Sequence, residues 1–311
     1  MRLSVFHALI LSVSLGLSVS LGLSVSVGLA QDPPKRQLAP EEPKSETSIA
    51  PEHHPWGRFE PGAWKLVEVV TETLDEKGAV ASTSTTNTKT TLVKVEEDGV
   101  TLKVEVSVEV AGKRFDAEPQ TVKQGFHGEL IGEQLKIKNV GKGEVTIEQR
   151  KVPCQVLRLE NSGANSNTVT NLYYSAEIAP YILRRESVTT DLDGDTILSE
   201  TTFNVVSLNA ECEGFDPQMQ LVRVEAVHKH PKGTVTTTAL TSPDLPGGII
   251  RHKSEEFDKS GRLTRRSTLE MVKYGLLEES ERTGILSLFG RKRAGTARNL
   301  PKRTEPQRLQ P

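Results

Sequence analysis

The chain is poor in the residues that usually announce chemistry. It has two cysteines in 311 residues, so a disulfide-dense scaffold and a cysteine-built zinc site are both excluded. Aromatics make up 5% of the chain, too few for a stacking surface along nucleic acid. The formal net charge is −2, which leaves no basic footprint for nucleic acid either. No nucleophile elbow, H-E-x-x-H, C-x-x-C or dinucleotide glycine pattern occurs. Gly141-Lys142-Gly143 lacks the rest of a phosphate loop and reads as a hairpin turn. These absences argue against an enzyme, and nothing in the sequence calls for a cofactor or a resident metal.

What is present is a repeated β pattern. Between Tyr173 and Val206, two runs rich in Thr, Val and Ile flank Asp191-Leu192-Asp193-Gly194. Asp at the first turn position can bond the backbone ahead of it, and Gly at the fourth supplies positive φ without a Cβ clash. The pattern returns between Leu240 and Val272. Arg184, Ser187, Asp191 and Gly194 match Arg251, Ser254, Asp258 and Gly261 (251 − 184 = 67; 261 − 194 = 67). Beyond the turn the match falls at 66 (Phe203 to Leu269), so the second turn should be one residue shorter. A fainter copy has Asp75 to Gly78 as its turn (191 − 75 = 116). Three related hairpin units are expected.

The fold expected is mainly β: an antiparallel meander of these units forming a curved sheet or half-barrel, with disordered termini. Val100 to Val110 alternates strictly and should have one packed and one wet face. Trp64, Leu66, Val70 and Leu74 are expected to share the apolar face of the first strand. The Ser/Thr-rich run from Ala79 to Thr90 reads as an exposed or edge strand.

Residues 1–30 read as a signal peptide. Arg2 precedes a long apolar run that closes on Gly28-Leu29-Ala30, with cleavage expected after Ala30 and export of the mature chain to the periplasm, envelope or medium. Residues 31–56, rich in Pro and charge, read as a disordered linker. The β domain should span 57–209. A third unit at 210–274 would continue the same sheet or form a small second domain. Residues 275–311 read as a short helix and a basic tail able to touch an anionic envelope surface. Cys154 and Cys212 permit one disulfide, or stand as two separate buried thiols. The oligomeric state is not legible.

Three clusters invite a metal reading. His53-His54 has no carboxylate or Cys cluster beside it, and His228-Lys229-His230 lacks a third ligand. In Asp191-x-Asp193-Gly194-Asp195 the glycine is misplaced for a calcium loop, and the copy at Asp258 keeps only the two residues a turn needs. Ligand-mouth candidates are Tyr173, Tyr174, Tyr181, Arg184 and Arg251, which flank the loops entering the repeated hairpins.

Those loops carry a resemblance. Leu172-Tyr-Tyr-Ser-Ala-Glu-Ile-Ala-Pro180 and Ala239-Leu-Thr-Ser-Pro-Asp-Leu-Pro246 resemble the entries to strands in exported half-barrels of the lipoprotein-carrier type. The signal and tether are similar to those of exported planctomycete-type proteins. The resemblance implies a concave apolar face and a lipid or apolar small molecule as ligand. The alternatives are an envelope interaction module with no cavity and, more weakly, a hydrolase whose site is assembled in three dimensions.

Overall fold

The computed structural model describes residues 48–129, 134–212, 218–276 and 298–299. The signal peptide, most of the linker, and the expected helix and basic tail (apart from 298–299) lie outside the described residues.

Among the described residues, fifteen strands form one sheet: β1 (Trp64–Leu74), β2 (Val80–Val95), β3 (Gly99–Val110), β4 (Lys113–Asp116), β5 (Gln120–Gly125), β6 (Gln134–Ile147), β7 (Arg150–Ser162), β8 (Asn167–Tyr174), β9 (Ile182–Thr190), β10 (Ile197–Ser207), β11 (Val222–His230), β12 (Gly233–Thr241), β13 (Ile249–Asp258), β14 (Leu263–Gly275) and β15 (Arg298–Asn299). The hydrogen-bonded order is β4-β3-β2-β1-β14-β13-β12-β11-β10-β9-β8-β7-β6, with β5 on β3 and β15 on β14. All pairings are antiparallel, and β10 pairs with β11, so the third unit continues the sheet. β1 pairs with β14, which brings the first unit beside the last.

The sheet is open, with β6 and β4 at its ends, but it is not flat. β3 and β9 lie eight strand spacings apart in the ladder, about 38 Å if flat at ~4.8 Å each. Yet Gly125 pairs with Gly99 of β3, and His127, two residues on, accepts a bond from Arg185 of β9. At the β6 end, Val145 and Ile147 share an apolar cluster with Leu183, Val205 and Val222 from β9 to β11. The sheet therefore bends around an interior.

The three Asp-x-x-Gly turns share one geometry. Gly78, Gly194 and Gly261 have φ of 80°, 83° and 81°, the left-handed region that glycine enters without strain. Each preceding Asp accepts backbone N–H bonds through its carboxylate, Asp191 from Asp195 and Thr196, and Asp258 from Ser260 and Arg262. The closing bond joins Asp191 to Thr196 but Asp258 to Arg262, so the later turn is one residue shorter. Two part-buried hydroxyl pairs recur at the same spacing, Thr170 with Ser187 and Thr237 with Ser254 (237 − 170 = 67; 254 − 187 = 67).

Several expectations need correction. In β1 the buried face is Lys65, Val67 and Val69, not the face of Trp64 and Leu66. The strand is apolar on both faces, so composition alone did not choose the packed one. β2 is an interior strand between β1 and β3; it is exposed only at 80–83 and at Val93 and Lys94, and Thr88, Thr90, Thr91 and Leu92 are buried. Gly141-Lys142-Gly143 lies inside β6 at a bulge, and the hairpin to β7 turns on Glu148 and Gln149. Cys154 and Cys212 are both thiols: Cys154 sits in the cluster of β6, β7 and β9, while Cys212 packs against the cluster of β1, β13 and β14. The expected linker also ends sooner than residue 56. Ile49, His54 and Trp56 are buried against the sheet.

Candidate functional site

Residues 49–59 act as a plug at the end of the sheet opposite the Asp-x-x-Gly turns. A short 3-10 turn, Pro51–His53, starts it. It is tied to the loop between β12 and β13 through its backbone, where Gly247 N–H donates to Pro55 O at 2.9 Å, and through a side chain, where Arg58 Nη1 donates to Pro243 O at 2.9 Å. Gly247 is required there. Its φ is +67°, and a Cβ would lie 2.6 Å from Lys65 Nζ and 2.8 Å from the Trp56 ring.

Two loops of equal length frame the plug. Ser175 N–H donates to Tyr181 O, and Ser242 N–H to Gly248 O, each closing a seven-residue span (181 − 175 = 248 − 242 = 6 steps). Both serines are buried. The first loop holds a cis Ala179-Pro180 bond and places Tyr181 at φ +70°, a conformation a bulky residue rarely takes. The Tyr181 ring stacks on His53, with centroids 3.9 Å apart, and His53 also bonds the Tyr174 hydroxyl.

Between plug, loops and sheet lies a cavity of about 180 Å³. Trp56, Phe126, Ile182, Phe203, Val224 and Ile249 give it an apolar wall, and His53, His54 and Arg185 are its principal polar side chains. The cavity's existence follows from the bend: β5, β9, β10, β11 and β13 all contribute, and only a folded-over sheet brings them together.

The site's ionisable groups are strongly perturbed. Arg185 is half-buried and lines the cavity. Desolvation lowers its pKa to about 10, opposed by Glu129, so it stays a cation at neutral pH. Burial pulls His54 down to about 4, and it is neutral. His54 Nδ1 accepts the Trp56 backbone N–H at 3.3 Å, and its ring meets Phe126 edge-on at 5.7 Å. Burial would raise Glu129, but interaction with His127, whose Nδ1 lies 3.7 Å from its carboxylate, and with nearby backbone holds it below the usual range. Behind Trp56 lies Lys65, brought to about 8 by desolvation; its Nζ donates to Gly247 O at 3.1 Å and sits 5.5 Å from the Trp56 ring. His252 on β13 is lowered to about 4 by burial and by Lys65, and its Nδ1 has no hydrogen-bond partner among the described residues.

Of the ligand-mouth candidates, Tyr181 lines the cavity and Tyr174 supports it through His53. Tyr173 and Arg184 are outside it: Tyr173 packs on the β6–β10 cluster, Arg184 lies 5.3 Å over its ring, and both bond Glu186. Arg251 is exposed. The strand alternation explains the miss. Arg185, one residue on, faces inward, and its counterpart by the 67 spacing is His252, not Arg251 (252 − 185 = 67). The Arg184-Arg185 pair offered a choice that only register could make. His53 and His54 belong to the site as plug residues; among the described residues no group of three His, Cys, Asp or Glu is placed to hold a metal. His228 and His230 stack at 5.5 Å, and His228 bonds Thr201 at 2.8 Å.

No family model and no curated protein matches the chain. Two solved structures show a weak likeness. A proposed exported protein with a YmcC-like fold from Bacteroides fragilis is 11% identical, covers 68% of this chain and 95% of its own, and has a TM-score of 0.29. A proposed lipoprotein from Parabacteroides distasonis is 15% identical over 68% of this chain and 97% of its own, with a TM-score of 0.27. Likeness at this level decides neither fold nor function for the present chain. No helix among the described residues is long and apolar enough to cross a membrane.

Proposed function

We propose that this is an exported, non-catalytic protein that binds an apolar or lipid-like molecule in the cavity between its plug and its sheet. The observation carrying the reading is the cavity itself: concave, walled by aromatic and aliphatic side chains, with few polar groups, as small-molecule sites are. Export rests on the signal pattern ending at Ala30. The hydrolase alternative has little support here. Ser242, which lines the cavity, accepts the Asp244 backbone N–H at 3.2 Å and bonds no imidazole among the described residues.

Purification from the exporting host, solvent extraction and mass spectrometry test the reading. One class of apolar molecule should recover at near-stoichiometric yield and compete with an apolar fluorophore for the cavity. A protein that carries nothing and fails to bind the fluorophore would instead be the solid envelope module.

A further inference from the structure

One wall of the cavity is the plug itself, through His53, His54, Pro55, Trp56 and Arg58. Displacing the plug would open the cavity, and two of the bonds that seat it need a neutral imidazole. The Trp56 backbone N–H donates to His54 Nδ1, so that nitrogen carries a lone pair and no proton. His53 Nδ1 meets the Tyr174 hydroxyl. The Tyr174 oxygen also takes a bond from the Ala50 backbone, one that favours the ionised phenol and so comes from the N–H. The hydroxyl's own proton is then left to donate to His53 Nδ1. A proton added to either imidazole at Nδ1 removes the acceptor.

It also adds a cation where cations already gather. Burial keeps His54 uncharged, opposed by Glu129 and helped by Arg185 and His127. Burial lowers His53 too, opposed by Glu52 and helped by Arg58, and Tyr174 and Tyr181 supply the rings against it. Under the plug, β1 brings Lys65 to 5.5 Å from the Trp56 ring, and β13 brings His252 within reach of the Lys65 charge. The carboxylate of the β12–β13 loop, Asp244, takes the Gln220 N–H at 3.4 Å instead. We propose that the plug is an acid-operated gate: protonation of His53 and His54 favours a form in which residues 49–59 leave the sheet and the cavity opens. The gate does not depend on what the cavity holds. Ile49 and Trp56 keep their apolar contacts at every pH, so acid shifts the population of the open form rather than expelling the plug outright.

Hydrogen exchange of the full chain, read by mass spectrometry at pH 7 and pH 5 with the intrinsic pH dependence of exchange divided out, tests it. His54 alone, at about 4 when seated and 6.5 when released, should favour opening about 20-fold more at pH 5 than at pH 7. Protection of 49–59 should fall by that factor or more, while β11 and β12 keep theirs. Asn offers the same N–H an acceptor that does not titrate, so the double variant His53→Asn with His54→Asn should hold protection of 49–59 level between the two pH values. His228→Asn, a histidine outside the cavity lining, should behave as the native chain does. The native comparison decides the gate without any variant. Unchanged protection at 49–59 overturns it, and an equal loss in β11 and β12 overturns it in favour of acid unfolding of the whole sheet. A fall that persists in full in the double variant overturns the two imidazoles as the trigger.

Discussion

Lys65 and His54 are buried within a few residues of each other's contacts, and each makes stability depend on pH. Lys65 has a folded pKa of about 8 against 10.5 unfolded, so between those values the unfolded chain holds a proton the native chain lacks. Stability must therefore rise as pH climbs from about 8 to 10.5 and be flat in this respect below 8. Lys65→Met should remove that rise and raise the melting temperature at pH 7, since it replaces a buried cation that has only a carbonyl and a ring for company. His54, at about 4 against 6.5 unfolded, works at the acid end: stability falls as pH drops from 6.5 to 4, by of order 3 kcal/mol for this group. His54→Asn should flatten that fall in thermal melts taken from pH 7 to 4; an unchanged slope would mean His54 is solvated. Neither behaviour was legible in the sequence. His53-His54 was visible as a pair, but its burial depends on a sheet that bends over it, and Lys65 lies on the strand face opposite Trp64 and Leu66, the one not expected to pack.

Turns and loops were read with more success than faces. The Asp-x-x-Gly signal located three hairpins and even the one-residue difference between two of them, because a turn's chemistry is local and needs no knowledge of packing. The plug was missed because a short, Pro-rich stretch has no periodicity; its signals were Ile49 and Trp56, apolar residues in a polar tether. Two glycines separate local from packed requirements. At Gly261 a Cβ meets nothing within 4 Å, so Gly261→Ala should cost only the left-handed backbone penalty, about 1 to 2 kcal/mol. Gly247→Ala carries the same penalty and also strikes Lys65 and Trp56. Urea unfolding should show the larger loss at Gly247, and equal losses would mean the plug is not seated where the structure places it.

The bend joins parts of the ladder that hydrogen bonding leaves apart, and the plug fills the space between them. Ile49 and Trp56 share one apolar cluster with Leu92, Val100 and Leu102 from β2 and β3 and with Leu157, Leu159 and Leu172 from β7 and β8. A meander of independent hairpins, which is as far as the repeat could be followed in sequence, has no reason to connect those strands. With the plug in place they share a core, so a loss at its centre should be felt at both ends together. Trp56 is 6% exposed. Trp56→Ala should cost about 3 to 5 kcal/mol, typical for deleting a buried aromatic. Hydrogen exchange on that variant should quicken in β2 and β3 and in β7 and β8 alike, while β11 and β12, interior strands held on both sides by their own ladders, stay protected. Faster exchange confined to β2 and β3 would show that the two ends of the sheet fold independently, and that the cavity between them is not a product of their packing.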